Sequence, residues 1–360
     1  MNKNIKHTFA GGNTSVGFYS FYKYIINPEI AKRIICLKGG PGTGKSTLMK
    51  AIGNHFLEKG YEIEFHHCSS DNTSIDGVVI KELNVALVDG TAPHIVDPIY
   101  PGAIDEILNL GDCWIEEGFS KYRTDIINTS KLIGQKFKRA YRFLGAARNI
   151  HEDWVNYNLA YKNNDKLNLI KENLRSDIFN DIKLQGNGKE RHLFLTAFTP
   201  NGIVSFKEDH SRLYEKMYLL KGGPGTGKTE VLKFLGEEAL RHGLYVEFYH
   251  DPFIPERIEN IAIPSLSLAI FSSNEINSIP IENDTEINMD SLLSPYVKKD
   301  KEEIDFDRSQ FYFLINKALS SIKEAKSLHD DLEKFYVDNI DFDKVKVITD
   351  NLIKRIEDYA

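Results

Sequence analysis

The sequence predicts an α/β protein of two tandem domains, each with three layers (αβα) around a mainly parallel sheet. Residues 37–45 read LKGGPGTGK, and the same nine residues recur at 220–228. In both copies a short apolar run precedes the glycines and an amphipathic helical pattern follows them. A strand, a glycine-rich turn and a helix in this order form the first unit of an α/β domain. Two copies therefore indicate two such domains.

Each element around the glycines has its own signal in the sequence. The runs 33–37 (RIICL) and 216–220 (KMYLL) are suited to buried strands. After the glycines, apolar residues recur at helical spacing: Leu48, Ile52 and Phe56 in the first copy, and Val231, Leu232 and Leu235 in the second. Gly60 and Gly243 stand where C-caps would end these helices. Both copies thus predict the same local structure.

The similarity between the two halves extends well beyond the glycines. Lys45 and Lys228 are 183 positions apart, and the same offset aligns 60–65 (GYEIEF) with 243–248 (GLYVEF). Towards the end of each half, an offset of 178 aligns His151 with His329. We therefore expect two homologous domains related by pseudo-two-fold packing. The predicted domains are residues 1–187, with a helical hairpin at 118–180, and residues 188–360, with a helical hairpin at 307–358.

Each nine-residue copy completes the pattern G-x-x-x-x-G-K-[ST], the phosphate-binding Walker A loop. Glycines let successive backbone N–H groups approach phosphate oxygens, and the helix that follows presents the positive end of its dipole. The lysine would reach the β- and γ-phosphates, and the Ser46 or Thr229 hydroxyl would bind Mg²⁺. The candidate nucleotide-binding residues are Gly39, Gly40, Pro41, Gly42, Thr43, Gly44, Lys45, Ser46 and Thr47 in the first loop, and Gly222, Gly223, Pro224, Gly225, Thr226, Gly227, Lys228, Thr229 and Glu230 in the second loop.

An acidic residue that could help to hold Mg²⁺ follows the first loop. The apolar run 85–88 ends in Asp89, which is the Walker B position, although Asp-Gly is also a turn signal. The matching strand of the second half has Ser272 in place of Asp89. We therefore expect hydrolysis mainly at the first site and binding or regulation at the second, where Asp251 could substitute for the missing acid.

The general base is less clearly indicated. The glutamate that usually follows the Walker B aspartate is absent. Strand 61–67 ends in His66-His67-Cys68-Ser69-Ser70-Asp71, at the edge of the sheet where α/β proteins bind ligands. We take Lys45, Asp89 and Asp71 as the candidate catalytic residues; the other candidate bases are Asp76, His94 and Asp97. His66, Cys68 and Asp71 could instead hold a metal ion, although neighbouring strand residues point to opposite faces.

Three further segments carry weaker signals. Residues 7–24 are predicted to form a strand or hairpin followed by an aromatic helix, and residues 272–305 a mobile insertion. Residues 120–160 form one long predicted helix, which bears eight basic residues and one acid between 118 and 150. This basic segment is interpreted as a solvated face, a lid over phosphates or a local nucleic-acid contact.

Composition narrows the class of protein. The chain has 360 residues, 41% of them hydrophobic and 27% charged, with a net charge of −7. It therefore lacks an overall basic field for nucleic acid. No apolar run is long enough to span a membrane. Three scattered cysteines and an N-terminus without a signal-peptide core favour the cytoplasm. A protein partner or a second copy of the chain is compatible with this composition.

On these residues the chain resembles P-loop NTPases, and more narrowly a group of bacterial proteins with duplicated P-loops that are usually called ATPases. The resemblance rests on both loops and on the segments 10–22 (AGGNTSVGFYSFY), 64–71 (EFHHCSSD) and 88–107 (VDGTAPHIVDPIYPGAIDEI). It implies ATP binding and hydrolysis with Mg²⁺. The loops are also similar to those of AAA+ proteins, whose Asp-Glu pair is missing here. No N-K-x-D guanine signature is present, so ATP is favoured over GTP.

Three functions compete at this point. The first is an ATPase that couples hydrolysis to a conformational change between its halves. The second is a phosphotransferase, a kinase for a nucleotide or another small molecule, with the basic segment as its lid. The third is a nucleotide-dependent switch or scaffold with little turnover.

Overall fold

The computed structural model describes residues 4–91, 96–278, 280–282 and 284–360. The strands of its first half are β1 (Ile5–Phe9), β2 (Gly11–Thr14), β3 (Gly17–Ser20), β4 (Arg33–Lys38), β5 (Ile63–His67), β6 (Ile75–Ile80), β7 (Val85–Asp89) and β8 (Asp105–Asn109). The helices of this half are α1 (Lys45–Glu58), α2 (Arg123–Ala160) and α3 (Asn164–Phe179).

The second half repeats this order of elements. Its strands are β9 (Glu190–Leu193), β10 (Thr196–Thr199), β11 (Gly202–Ser205), β12 (Lys216–Lys221), β13 (Val246–His250), β14 (Ile258–Ile263), β15 (Leu268–Ser273) and β16 (Thr285–Asn288). Its helices are α4 (Lys207–Ser211), α5 (Lys228–Arg241), α6 (Lys301–Val337) and α7 (Phe342–Glu357).

Each half builds one six-stranded sheet. The strand order is β1-β5-β6-β7-β4-β8 in the first sheet and β9-β13-β14-β15-β12-β16 in the second. All neighbours are parallel except that β6 and β14 run antiparallel to both of their neighbours. The predicted α/β class with mostly parallel strands is confirmed, and the sheets are mixed. Strands β6 and β14 run back because short turns, not crossover helices, connect them to the preceding strands.

Two local predictions are wrong. Phe18 and Tyr19, expected in an aromatic helix, lie in strand β3, which forms a hairpin with β2. Only Tyr22–Tyr24 form one 3-10 turn. The segment 272–305, expected to be a mobile insertion, instead contributes β16, which pairs with β12 as the edge strand of the second sheet.

The two sheets pack with their inner faces towards each other and their outer faces under helices. Alternate residues of each strand point to opposite sides. Val79, Ala86 and Val88 on the inner face of the first sheet share one buried cluster with Ala262 and Phe271 of the second. The outer residues of the same strands pack against α1 in the first half and α5 in the second. The two halves therefore meet through a continuous core.

The last helix of each half packs on the opposite half. Leu167 and Leu174 of α3 belong to the core around α5, while Leu352 and Ile356 of α7 belong to the core around α1. The long helices α2 and α6 make this exchange possible. They run antiparallel, since Lys136 of α2 contacts Glu324 of α6 and Trp154 contacts Phe311.

A pseudo-two-fold axis relates the halves. The N–H of Phe9 donates to the carbonyl of Phe194 and the N–H of Phe194 donates to that of Phe9, both at 2.9 Å. These two residues correspond in the repeat, so the axis passes between them.

Buried ion pairs follow the same symmetry. Lys6 of the first half pairs with Glu247 of the second at 2.6 Å, and Arg191 of the second half pairs with Glu64 of the first at 2.7 Å. Burial would raise the pKa of Glu247, but the charges of Lys6 and Arg191 outweigh it and lower that pKa to about 2. The interface therefore contains charges that are matched across the halves.

Candidate functional site

The two glycine-rich loops have the same conformation. Each connects the strand next to the sheet edge to the start of a helix, β4 to α1 and β12 to α5. Gly42 (φ 67°) and Gly44 (φ 86°) of the first loop, and Gly225 (φ 74°) and Gly227 (φ 97°) of the second, occupy the left-handed region that glycine adopts without strain. In each loop a threonine hydroxyl donates to a loop carbonyl at 2.8 Å. The glycines of the pattern are thus needed by the backbone.

The first loop brings together the lysine and the acid predicted for it. The Lys45 ammonium donates to the carbonyls of Gly39 and Gly40 at 2.8 and 2.9 Å and lies 3.6 Å from the Asp89 carboxylate. Asp89 ends β7, which pairs directly with β4. Its other oxygen accepts the N–H of Thr91 at 2.8 Å, which fixes the carboxylate beside the loop. A cation and an anchored acid therefore stand together at the start of α1.

The remaining predicted residues of the first loop lie at the same helix end. The Ser46 hydroxyl accepts the N–H of Ile75 at 3.0 Å, so it faces the first residue of β6. Thr47 is exposed on the first turn of α1, and Pro41 lies in the turn of the loop. Ser46 and Asp89 are oxygen donors of the kind that Mg²⁺ prefers. With Lys45 and the glycine backbone, they fit a triphosphate and its magnesium ion.

The Asp71 carboxylate is held by contacts with neighbouring side chains. Its carboxylate accepts the Thr73 hydroxyl at 2.7 Å and the Ser74 hydroxyl at 2.9 Å, and Lys326 of α6 pairs with it at 3.2 Å. Burial raises the pKa of Asp71, but these contacts outweigh it and lower the pKa, which weakens the carboxylate as a base. Among the described residues, the partners of Asp71 do not include Lys45.

The alternative metal set is not assembled. His66 is buried and its Nδ1 lies 2.7 Å from the Thr8 hydroxyl, and burial lowers its pKa to about 3. Across the described residues, the metal-binding side chains that come within reach of one another are those of His329, Asp330 and Glu333, not His66, Cys68 and Asp71.

Two of the other candidate bases are also held by partners. Asp76 accepts the Tyr22 hydroxyl at 2.6 Å, and Asp97 pairs with Lys38 at 2.7 Å. Both carboxylates already have a partner. His94 lies outside the described residues.

The second loop keeps the lysine geometry. The Lys228 ammonium donates to the carbonyls of Gly222 and Gly223 at 2.5 and 2.7 Å. Ser272 is buried where the first half has Asp89, and its carbonyl accepts Lys207 at 2.8 Å. The Thr229 hydroxyl donates to the carbonyl of Ile258 at 3.3 Å. The contacts of the loop lysine are therefore retained without an acid at the end of β15.

Other carboxylates surround the second loop. A cavity of about 170 Å³ beside Lys228 is lined by Asp251, Glu259 and Glu275, and also by Arg257. Burial, with the charges of Glu259 and Glu275, raises the pKa of Asp251 to about 6. Asp251 thus lies where the sequence suggested a substitute acid.

Several residues of this cavity were not predicted, among them Glu275, His151 and Arg257. Glu275 pairs at 2.5 Å with His151, which α2 contributes from the first half, and Arg257 offers a guanidinium suited to phosphate. His151 had a signal in the 178-residue offset that aligns it with His329. Glu275 follows the end of β15 in a segment without periodicity, so no pattern indicated it.

The crossing hairpins lie against the loops of the opposite halves. The Tyr336 ring is so close to Gly40 that an added Cβ would be 2.4 Å from it. At the second loop, the Asn158 side chain donates to the Pro224 carbonyl at 2.7 Å, and Glu230 pairs with Lys162. Each loop is therefore enclosed by residues of both halves.

The basic segment does not cover either loop. Lys131, Lys138 and Arg142 are exposed on α2. Lys136 pairs with Glu324, and Arg148 pairs with Glu152 and lies near Glu256. Within the described part of the chain, these side chains make no hydrogen bond or ion pair with either loop, so the arrangement gives no support to a lid.

Comparisons with protein-family models, curated proteins and solved structures find no significant match. Every helix among the described residues is too short or too polar to cross a lipid bilayer.

Proposed function

We propose that this protein binds ATP with Mg²⁺ at both loops and hydrolyses it mainly at the first. The observation that carries the proposal is the 3.6 Å approach of Lys45 to Asp89 within a loop whose glycines adopt the left-handed conformation. This arrangement suits a triphosphate because it joins backbone N–H donors, a cation and an oxygen ligand at one helix start.

Each residue of the first loop has a role in this proposal. The backbone N–H groups after Gly42 hold the phosphate oxygens, and Lys45 leaves its loop carbonyls to neutralise the β- and γ-phosphates. Ser46 and Asp89 would hold Mg²⁺, which would supply charge stabilisation for the γ-phosphoryl group transferred to water and for the ADP that leaves. Thr91 keeps Asp89 oriented through its N–H.

The second loop has the same cradle but a different acid arrangement, which supports a binding or regulatory role. Burial lowers the pKa of Lys228. Ser272 offers a hydroxyl instead of a carboxylate at the end of β15.

The enclosure of each loop by both halves favours the ATPase with coupled conformational change over the kinase and the scaffold. A conformational change at one loop would displace a helix that belongs to the other half. The three cysteines are buried and unpaired, which fits the cytoplasm that we propose as its compartment.

Single substitution of each lysine tests the proposal. We expect Lys45→Ala to abolish Mg²⁺-dependent phosphate release from ATP, because the charge that stabilises the transferring phosphate is lost. Lys228→Ala should mainly change nucleotide affinity. Turnover that survives in both variants would contradict the enzymatic proposal, and equal loss in both would contradict the asymmetry between the sites.

A further inference from the structure

A second cavity lies beside the first loop. It encloses about 350 Å³ between α1 and α7. Gly44, Thr47, Leu48 and Ala51 line one side, and the α7 residues that line the other come from the opposite half. Pockets for small organic ligands have volumes of this order, mostly apolar walls and a few polar groups.

The walls carry the groups that a nucleoside needs. Leu48, Val345 and Ile353 provide apolar surface, and Phe342 at the start of α7 is 46% exposed. An exposed aromatic ring can stack on a base. Asp350 and Lys346 add a carboxylate and an ammonium that can bind base edges or ribose hydroxyls. The cavity thus offers stacking, burial and hydrogen bonding together.

The cavity is continuous with the phosphate cradle. Gly44 caps α1, and Thr47 lies on the first turn of the same helix; both belong to the loop and to the cavity wall. Phosphates held on the N–H groups at the start of α1 would leave the rest of a nucleotide next to this wall.

The second half fills the corresponding space. At the offset of 183, Thr47 corresponds to Glu230 and Ala51 to Phe234. Phe234 packs against the core around α5 and α3, and Glu230 pairs with Lys162 and, at 3.8 Å, with Lys171 of α3. The duplicated fold therefore supplies a template for a variant, because it shows which larger side chains the same helix pair accommodates at these positions.

We propose that this cavity is the nucleoside subsite of the first loop. It takes the base and ribose of the nucleotide whose phosphates lie in the first loop, and α7 of the opposite half forms one wall. The inference rests on the proposed function and adds the site of base recognition, which is built from both halves.

The test compares two ligands that differ only in the nucleoside. ATP and inorganic tripolyphosphate, each with Mg²⁺, are titrated by calorimetry into the full chain carrying Lys228→Ala, which weakens the second loop. Into that background we introduce Ala51→Phe, which copies Phe234, and separately Phe342→Ala, which removes the ring. Ala51→Ser is the matched control because it keeps the cavity open.

We expect Ala51→Phe to weaken ATP binding by about tenfold or more, and Phe342→Ala by about threefold or more, on the scale of stacking interactions. Tripolyphosphate affinity should stay within about twofold, because it depends on the loop alone. Ala51 is exposed, so the larger ring requires no core rearrangement.

Unchanged ATP affinity in both variants would overturn the subsite, as would equal weakening of ATP and tripolyphosphate. If the Lys228→Ala chain binds neither ligand, a repeat with Lys228 restored decides the cause: no binding there contradicts the proposed function itself, and with it the subsite.

Discussion

The Lys45 ammonium lies 3.6 Å from the Asp89 carboxylate, although 44 positions separate the two residues in the sequence. Pairing of β4 with β7 brings them together, because parallel neighbours end at the same edge of the sheet. Asp89 is not the sole partner of the Lys45 ammonium, since Lys45 also donates to two loop carbonyls. This pair is the basis for the first prediction.

Replacing Asp89 with asparagine should lower ATP turnover by about a hundredfold or more, because a neutral amide holds Mg²⁺ poorly and leaves Lys45 without its anion. Steady-state phosphate release measures the effect. Asp97→Asn is the control: Asp97 is exposed and paired with Lys38, so we expect less than about a twofold change there. Equal losses in the two variants would exclude Asp89 as the specific acid.

Contact between Gly40 and Tyr336 gives a prediction on stability. An alanine at Gly40 would force its Cβ against the Tyr336 ring, so the ring or the α6 end must shift, at a cost of about 1–3 kcal/mol. Tyr336→Ala should relieve this strain. Urea unfolding of both single variants and the double variant measures their coupling. If the changes in the free energy of unfolding simply add, the first loop and the α6 end are not in contact in solution.

Acid should destabilise the fold through its buried histidines. Burial lowers the pKa of His66 and His210 to about 3, and burial together with a neighbouring histidine lowers that of His67 and His250 to about 4. Their unfolded-state pKa is about 6.5, so between these values the unfolded chain binds more protons than the folded one. Stability is therefore retained above pH 6.5 and lost as the pH falls towards 4.

Urea titrations at pH 7, 6 and 5 should show this loss. Each such histidine contributes about 1.4 kcal/mol per pH unit once the pH is well below 6.5. We expect the free energy of unfolding to fall by several kcal/mol between pH 7 and pH 5. A constant free energy of unfolding between pH 7 and pH 5 would mean that these histidines bind protons in the folded state as readily as in the unfolded state.

The sequence was most informative where local chemistry decides the structure. The glycines at 42 and 44 require a left-handed backbone, so their pattern predicted both the turn and the start of α1. The long helices were also predictable, because their apolar stripes persist over many turns; α2 spans Arg123–Ala160 against a predicted 120–160.

Packing between elements that are far apart in the sequence could not be predicted from such local patterns. Strand β6 is buried throughout, and such a pattern carries no information about direction, so its antiparallel pairing was missed. Nothing in the stripe of α7 distinguishes α1 from α5 as its partner. The pairing of His151 with Glu275 depends on that exchange of helices, and it therefore required the structure.

Equilibrium titration of the purified protein with labelled ATP and Mg²⁺ tests the central claim most directly. We predict saturable binding that Lys45→Ala and Lys228→Ala each weaken and that the double variant loses. Absence of saturable binding to the unmodified protein would contradict the assignment of both loops as nucleotide sites.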